Sequence, residues 1–163
     1  GANGVVLLPF LCGERAPYLN PHAKAVLFGM KLSTTRADIV RSILESVVYS
    51  FRDCMEVFAE LKLPLSDSIV ASGGGTKSPI WLQMQADILK KKIRVRNAAV
   101  EAGKGAALAA GVGVGIYDSL TQAANATVPK SETVYVPNPE NYSVYDQRFR
   151  IYQALYQNNK NLF

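Results

Sequence analysis

The chain is poor in the residues that make covalent or metal-held scaffolds. Its two cysteines, Cys12 and Cys54, are too few for a disulfide framework, and a single histidine, His22, leaves no Cys/His set for a transition metal. Any metal it uses must be met by oxygen ligands. Long apolar runs are missing as well: no stretch approaches the roughly 18 to 20 residues of a membrane span. The opening Gly-Ala-Asn-Gly lacks the basic start of a secretory signal, so a cytoplasmic location without a membrane partner is the expectation. Charge of one sign is modest, at +5 net, and much of it gathers at Lys90, Lys91, Lys92, Arg94 and Arg96. No aromatic residue interleaves there, while Ile93 and Val95 alternate with the charges, which reads as the solvated face of a half-buried strand and not as a nucleic-acid patch. What remains is 163 residues, 48% hydrophobic, enough for one domain with a core and too little for two.

The stretch with the most chemistry in it is a strand-to-helix passage. Ile69-Val70-Ala71 reads as a short apolar strand, Ser72 to Lys77 as a glycine turn, and the residues beyond as a helix capped by Ser78 with Pro79 at its first position. Three consecutive glycines, Gly73 to Gly75, let backbone approach a ligand without obstruction by Cβ. The helix start beyond them offers unpaired N–H groups and a partial positive charge, which suits a nucleotide or another anion. Two familiar phosphate motifs are excluded. A Walker A loop needs glycine directly before lysine, where Thr76 stands, and a dinucleotide fingerprint begun at Gly73 and Gly75 needs glycine at Ser78. On the residues alone, an ordinary α/β connector remains open.

Around this stretch the chain reads in order. Val5 to Leu8 is a strand ended by Pro9, and Val26 to Met30 is the next, paired with it. Between them Pro17 and Pro21 forbid regular structure, while Glu14 and Arg15 set opposite charges side by side, as in a surface ion pair or a functional loop. Thr35 with Asp38 approximates a capping box for a long helix that should end near Leu63, before Pro64. Ile39, Ile43, Val47, Phe51, Met55 and Phe58 mark its expected core face, and Glu45, Arg52 and Asp53 are expected on its solvent face. Glu101 to Gly111 is a helix of small side chains, suited to close packing. Asp118 is expected to cap a short helix over 120–126 that Pro129 closes. Val134 to Pro137 is extended, and a last helix carries Tyr142, Tyr145, Phe149, Tyr152 and Leu155 at core spacing.

Ser72-Gly73-Gly74-Gly75-Thr76-Lys77-Ser78-Pro79-Ile80-Trp81, followed by Gln83, Gln85, Ala86 and Asp87, resembles the adenosine-binding segment of the FGGY carbohydrate kinases, a branch of the actin and hexokinase-like ATPases. Pro9-Phe10-Leu11 with Gly13-Glu14-Arg15-Ala16-Pro17 is similar to that family's loop at the mouth of the active-site cleft. Ala23-Lys24-Ala25 departs from the family's frequent Ala-Arg-Gly. The Tyr-rich tail, ending in Leu155-Tyr156 and Leu162-Phe163, resembles the xylulokinase branch.

The resemblance implies an α/β domain of the ribonuclease H-like type, a mixed sheet between helices. It implies that residues 1–163 are the ATP-side, C-terminal domain of a sugar kinase whose N-terminal catalytic domain precedes them. Gly74, Gly75, Thr76, Lys77 and Ser78 become the nucleotide contacts, with Gly103 and Glu101 as further candidates because the family carries a Gly-x-x-Gly-Ala-Ala-like helix near the nucleotide. Glu14 and Arg15 become cleft-loop residues. The cofactors implied are ATP and the Mg2+ it brings; the partners are a sugar and the preceding half of the kinase, with a homodimer allowed. The catalytic carboxylate is expected in that half, and no catalytic residue or metal ligand is nominated here. Xylulose is the first expected sugar, with gluconate, other pentoses and glycerol as alternatives, and a stand-alone nucleotide- or partner-binding module as the rival reading.

Overall fold

The computed structural model describes residues 1–96, 101–127 and 131–163. Strand β1 (Val6–Leu8) pairs antiparallel with β2 (Val26–Phe28), with Leu7 opposite Leu27, as the two apolar runs suggest. Helix α1 (Arg36–Glu60) follows, then β3 (Ser68–Ala71), α2 (Pro79–Leu89) and β4 (Lys92–Arg96). Helices α3 (Glu101–Gly113) and α4 (Leu120–Thr127), strand β5 (Glu132–Tyr135) and α5 (Tyr142–Asn159) complete the order. β4 lies between β3, parallel to it, and β5, antiparallel to it, so the second sheet is mixed. No helix among the described residues is long and apolar enough to cross a membrane.

Local chemistry sets the helix starts. Thr35 Oγ1 accepts from the Asp38 amide at 3.2 Å while Asp38 accepts from the Thr35 amide at 2.9 Å, a complete capping box with aspartate in the glutamate position. Ser78 caps α2 with Pro79 at its first position. The cap of α4 is not Asp118 but Ser119, whose Oγ accepts from the Gln122 amide at 3.1 Å; Gln122 in turn accepts from the Asp118 amide. Pro129, expected to close that region, lies outside the described residues.

One hydrophobic cluster joins β1, α1, α2, β4 and α5. Within it Tyr145, Phe149, Tyr152 and Leu155 are buried along α5 as their spacing requires. In α2 and β4, Leu82, Ile88 and Ile93 are sealed from solvent. The basic run after α2 is a solvated face: Arg94 donates from Nε and Nη2 to the two carboxylate oxygens of Glu132, and Lys90 and Lys91 pair with Asp146 and Asp67.

Two expectations are overturned. The buried face of α1 is its polar one: Asp38, Ser42, Glu45, Ser46, Tyr49 and Asp53 recur at three- and four-residue steps and are buried, while Ile43, Phe51 and Phe58 are exposed. The cause is what packs there. α5 brings Tyr145 and Asp146, which accept from Arg41 and Arg52, and Gln153, which donates to Asp53, while Glu45 is met by Arg41 and Tyr49 of α1 itself. Arg41 Nε donates to Glu45 at 2.8 Å, and Gln153 donates to Asp53 at 2.9 Å. Likewise the small side chains of α3 do not form a closely packed layer. Ala106, Ala107, Ala109 and Ala110 face solvent, and α3 packs with α4, where the Lys104 ammonium donates to the Thr127 carbonyl.

Candidate functional site

β3 runs out at Ala71, and Gly73 turns the chain into a single 3-10 turn, Gly74–Lys77, before Ser78 starts α2. The glycines answer different demands. Gly73 has φ +86°, where any other residue is strained. A Cβ on Gly75 would stand 2.0 Å from the Trp81 ring, so glycine is needed there to seat the indole. Gly74 has neither constraint, and a Cβ on it would meet nothing within 4 Å. Its bareness leaves room for something outside the chain.

A 3-10 turn leaves its first donors, here the amides of Gly74 and Gly75, outside its own ladder. Thr76 donates its hydroxyl to the Gly73 carbonyl at 2.8 Å, which fixes the turn, and Ser78 Oγ accepts from the Trp81 amide at 3.3 Å, which leaves its proton to be donated elsewhere. Lys77 is exposed and has no ion pair among the described residues.

Beside the turn lies a groove of about 460 Å³. Ser72, Gly75 and Thr76 give it a polar end, and Phe51, Met55 and Phe58 of α1 give it an apolar wall. This is the stripe that the sequence marks as core. Trp81 lines the same groove and donates Nε1–H to the Leu44 carbonyl at 3.1 Å, tying α2 to α1 beneath the turn. Trp81 is a site residue that motif matching named without a role; being the chain's sole tryptophan, two positions inside a capped helix, was its only signal. A planar apolar body with a polar tail fits such a cavity.

The structure brings Gly75 and Thr76 to the groove, while Gly74, Lys77 and Ser78 flank them without lining it. Gly103 is exposed on α3 and does not line the groove, and the side chain of Glu101 lies outside the described residues. Asp87, part of the same motif, is buried and fully engaged: it accepts from Gln83, the Asn138 amide and Asn141, each at 2.8 Å, and so holds the turn that feeds α5.

Glu14 and Arg15 sit on the loop between β1 and β2 and do not pair with each other. Glu14 Oε1 accepts from the Ala16 amide at 2.8 Å, and Arg15 is exposed without an ion pair among the described residues. Burial pushes the Glu14 carboxyl up, against the pull of the Ala16 amide. The loop adjoins the groove through Cys54, which lines the groove and whose thiol, pushed up by burial, reaches the Ala16 carbonyl at 3.6 Å.

A glycine turn and an apolar groove at the carboxyl end of a parallel strand stand where open α/β sheets place their ligand crevices. The family model "FGGY family of carbohydrate kinases, C-terminal domain" matches residues 1–114. The chain belongs to the FGGY family of carbohydrate kinases. It is 33% identical over 162 residues to a xylulose kinase of Staphylococcus epidermidis, covering 99% of this chain and 32% of that protein. It is 35% identical over 135 residues to a glycerol kinase of Saccharolobus islandicus, covering 83% of this chain and 26% of that one. The crystal structure of a xylulose kinase from Rhodospirillum rubrum superposes with TM-score 0.79 at 31% identity, over 99% of this chain and 32% of the other. The chain thus spans about a third of the length of the relatives it matches.

Proposed function

We propose that this chain is the nucleotide-side domain of a cytoplasmic sugar kinase that passes the γ-phosphoryl group of ATP to a sugar hydroxyl, with xylulose as the sugar. The observation that carries the reading is the bare Gly74 beside a groove with a polar end and an apolar wall, on a chain of the FGGY family. The residues fit a nucleoside. Gly74 and Gly75 would offer backbone amides, Thr76 and Ser78 their hydroxyls, and Phe51 and Met55 an apolar bed for the base. Lys77 and Gly103 stay candidates for its outer contacts. When bound, ATP supplies the transferable phosphoryl group.

The chain's own part is to bind, orient and exclude water. The loop carrying Glu14 and Arg15 stands next to the groove through Cys54 and Ala16, so both belong to one jaw. Closing such a jaw on the preceding half of the kinase would keep water from competing with the sugar hydroxyl. Magnesium would enter with ATP. The half-exposed Phe51, Phe58 and Val70 favour this reading over a self-contained binding module, which would cover such a face.

The test is ADP release by the kinase containing this chain, offered xylulose, gluconate and glycerol in turn. Transfer to xylulose with the highest kcat/KM is expected; a preference for glycerol would reassign the sugar, and no transfer to any of them would overturn the kinase reading.

A further inference from the structure

The loop 13–21 has little regular structure, yet it is fastened from two helices. Glu14 and Asn20 exchange both backbone bonds at 2.8 Å, which closes the loop into a ring. Gly13 permits the closure: its φ is +80°, and a Cβ there would stand 2.7 Å from the Pro21 carbonyl oxygen. Inside the ring Tyr18 donates its hydroxyl to Asp53 of α1 and lays its ring on Tyr156 of α5, centroids 3.6 Å apart and planes 15° from parallel. Tyr156 also receives a long bond of 3.4 Å from Asn20. The other oxygen of Asp53 is held by Gln153 of α5 at 2.9 Å. Asp53 is buried, so its charge is committed to these partners.

We propose that Tyr18, Asp53 and Tyr156 form a clasp that fixes the exposed Arg15 and the neighbouring Glu14 at the cleft edge, and are positioning residues for phosphoryl transfer. This rests on the reading that the loop faces the sugar and nucleotide. Tyr49, Phe149 and Tyr152 pack α1 on α5, and Tyr18 comes from the loop to the edge of that cluster, against Phe10 and Tyr156 and onto the Asp53 carboxylate. Burial, reinforced by Asp53, pushes the Tyr18 hydroxyl far above its ordinary range, so it stays a donor at every working pH. A loop held by one charge-assisted bond and one stacked ring gains a defined position from groups far away in sequence. Small misplacements of such a loop cost rate more than binding.

Two variants separate the roles. Tyr18→Phe keeps the stack and removes the bond to Asp53, and Tyr18→Leu, at a half-buried position, removes the stack as well. Hydrogen exchange at the Glu14, Ala16 and Asn20 amides is expected to quicken roughly tenfold or more in each, with β4 and α2 amides unchanged. In the kinase containing this chain, kcat is expected to fall roughly tenfold or more in both while KM for ATP holds, and Tyr156→Phe is expected to keep near full activity. Unchanged exchange in both variants would overturn the clasp. Faster exchange with unaltered kcat would overturn its positioning role. ADP binding by the wild type with no fall in kcat in the variants would overturn the positioning role and leave the nucleotide reading standing, whereas a wild type that neither binds ADP nor transfers phosphoryl would sink both.

Discussion

The two faces of α1 differ in the opposite sense from their composition. The face with Glu45, Asp53 and three hydroxyl residues is buried, and the face with Ile43, Phe51 and Phe58 is half open. The buried side works because each carboxylate meets donors: Glu45 those of Arg41 and Tyr49 on α1 itself, and Asp53 those of Tyr18 and of Gln153 on α5, so the polar seam helps to specify how α5 docks on α1. The open side works as the wall of a groove, with apolar surface left for a ligand or for a further part of the protein. Apolar periodicity shows which face of a helix carries apolar surface; it does not show which face the rest of the chain buries.

The sharpest way to break the comparison is to truncate one residue from each face. Tyr49→Ala, buried on the polar face, is expected to cost about 4 kcal/mol in urea unfolding, against less than about 1.5 kcal/mol for the half-exposed Phe58→Ala. Equal costs would mean that the groove wall is packed core. Next in size are the glycines of the turn. Gly75→Ala drives a methyl into Trp81 and is expected to cost about 2 kcal/mol, while Gly74→Ala should stay within about 0.5 kcal/mol of wild type. Asp53→Asn should cost about 1.5 kcal/mol by exchanging two charge-assisted bonds for neutral ones, measured by thermal unfolding.

The smallest effect is expected at acid pH. The Thr35 amide and hydroxyl hold the Asp38 carboxyl below its ordinary value of 3.8. Its capping contribution is therefore present above about pH 4 and lost as pH falls through the lowered folded value. Asp38→Asn should flatten that acid limb of the unfolding midpoint; an unchanged limb would place its cause elsewhere.

Much of the fold was legible because it depends on neighbours in sequence. Thr35 with Asp38, Ser78 with Pro79, and the aromatic stripe of α5 are local patterns, and each produced the element expected. The orientation of α1 was hidden because the partners of its polar face, Tyr145 for Arg41 and Gln153 for Asp53, lie about a hundred residues further along the chain. The glycine turn was legible as a site but not in its parts: that Gly75 serves Trp81 and Gly74 serves open space depends on where the indole lies. Asp118 and Ser119 compete for one cap, and a single-residue shift in favour of Ser119 is settled by which hydroxyl reaches the Gln122 amide. Tyr18 carried no signal, since its partners Asp53 and Tyr156 are joined only by the fold.

The chain's single tryptophan lines the groove, so its fluorescence reports on what enters there. ADP titrated into wild type and Gly74→Val, with far-ultraviolet circular dichroism to verify equal folding, is expected to give a saturable change for wild type and at least roughly tenfold weaker binding for the variant. Equal affinity in the two proteins would contradict the account, because the nucleotide would then sit somewhere other than over the bare glycine.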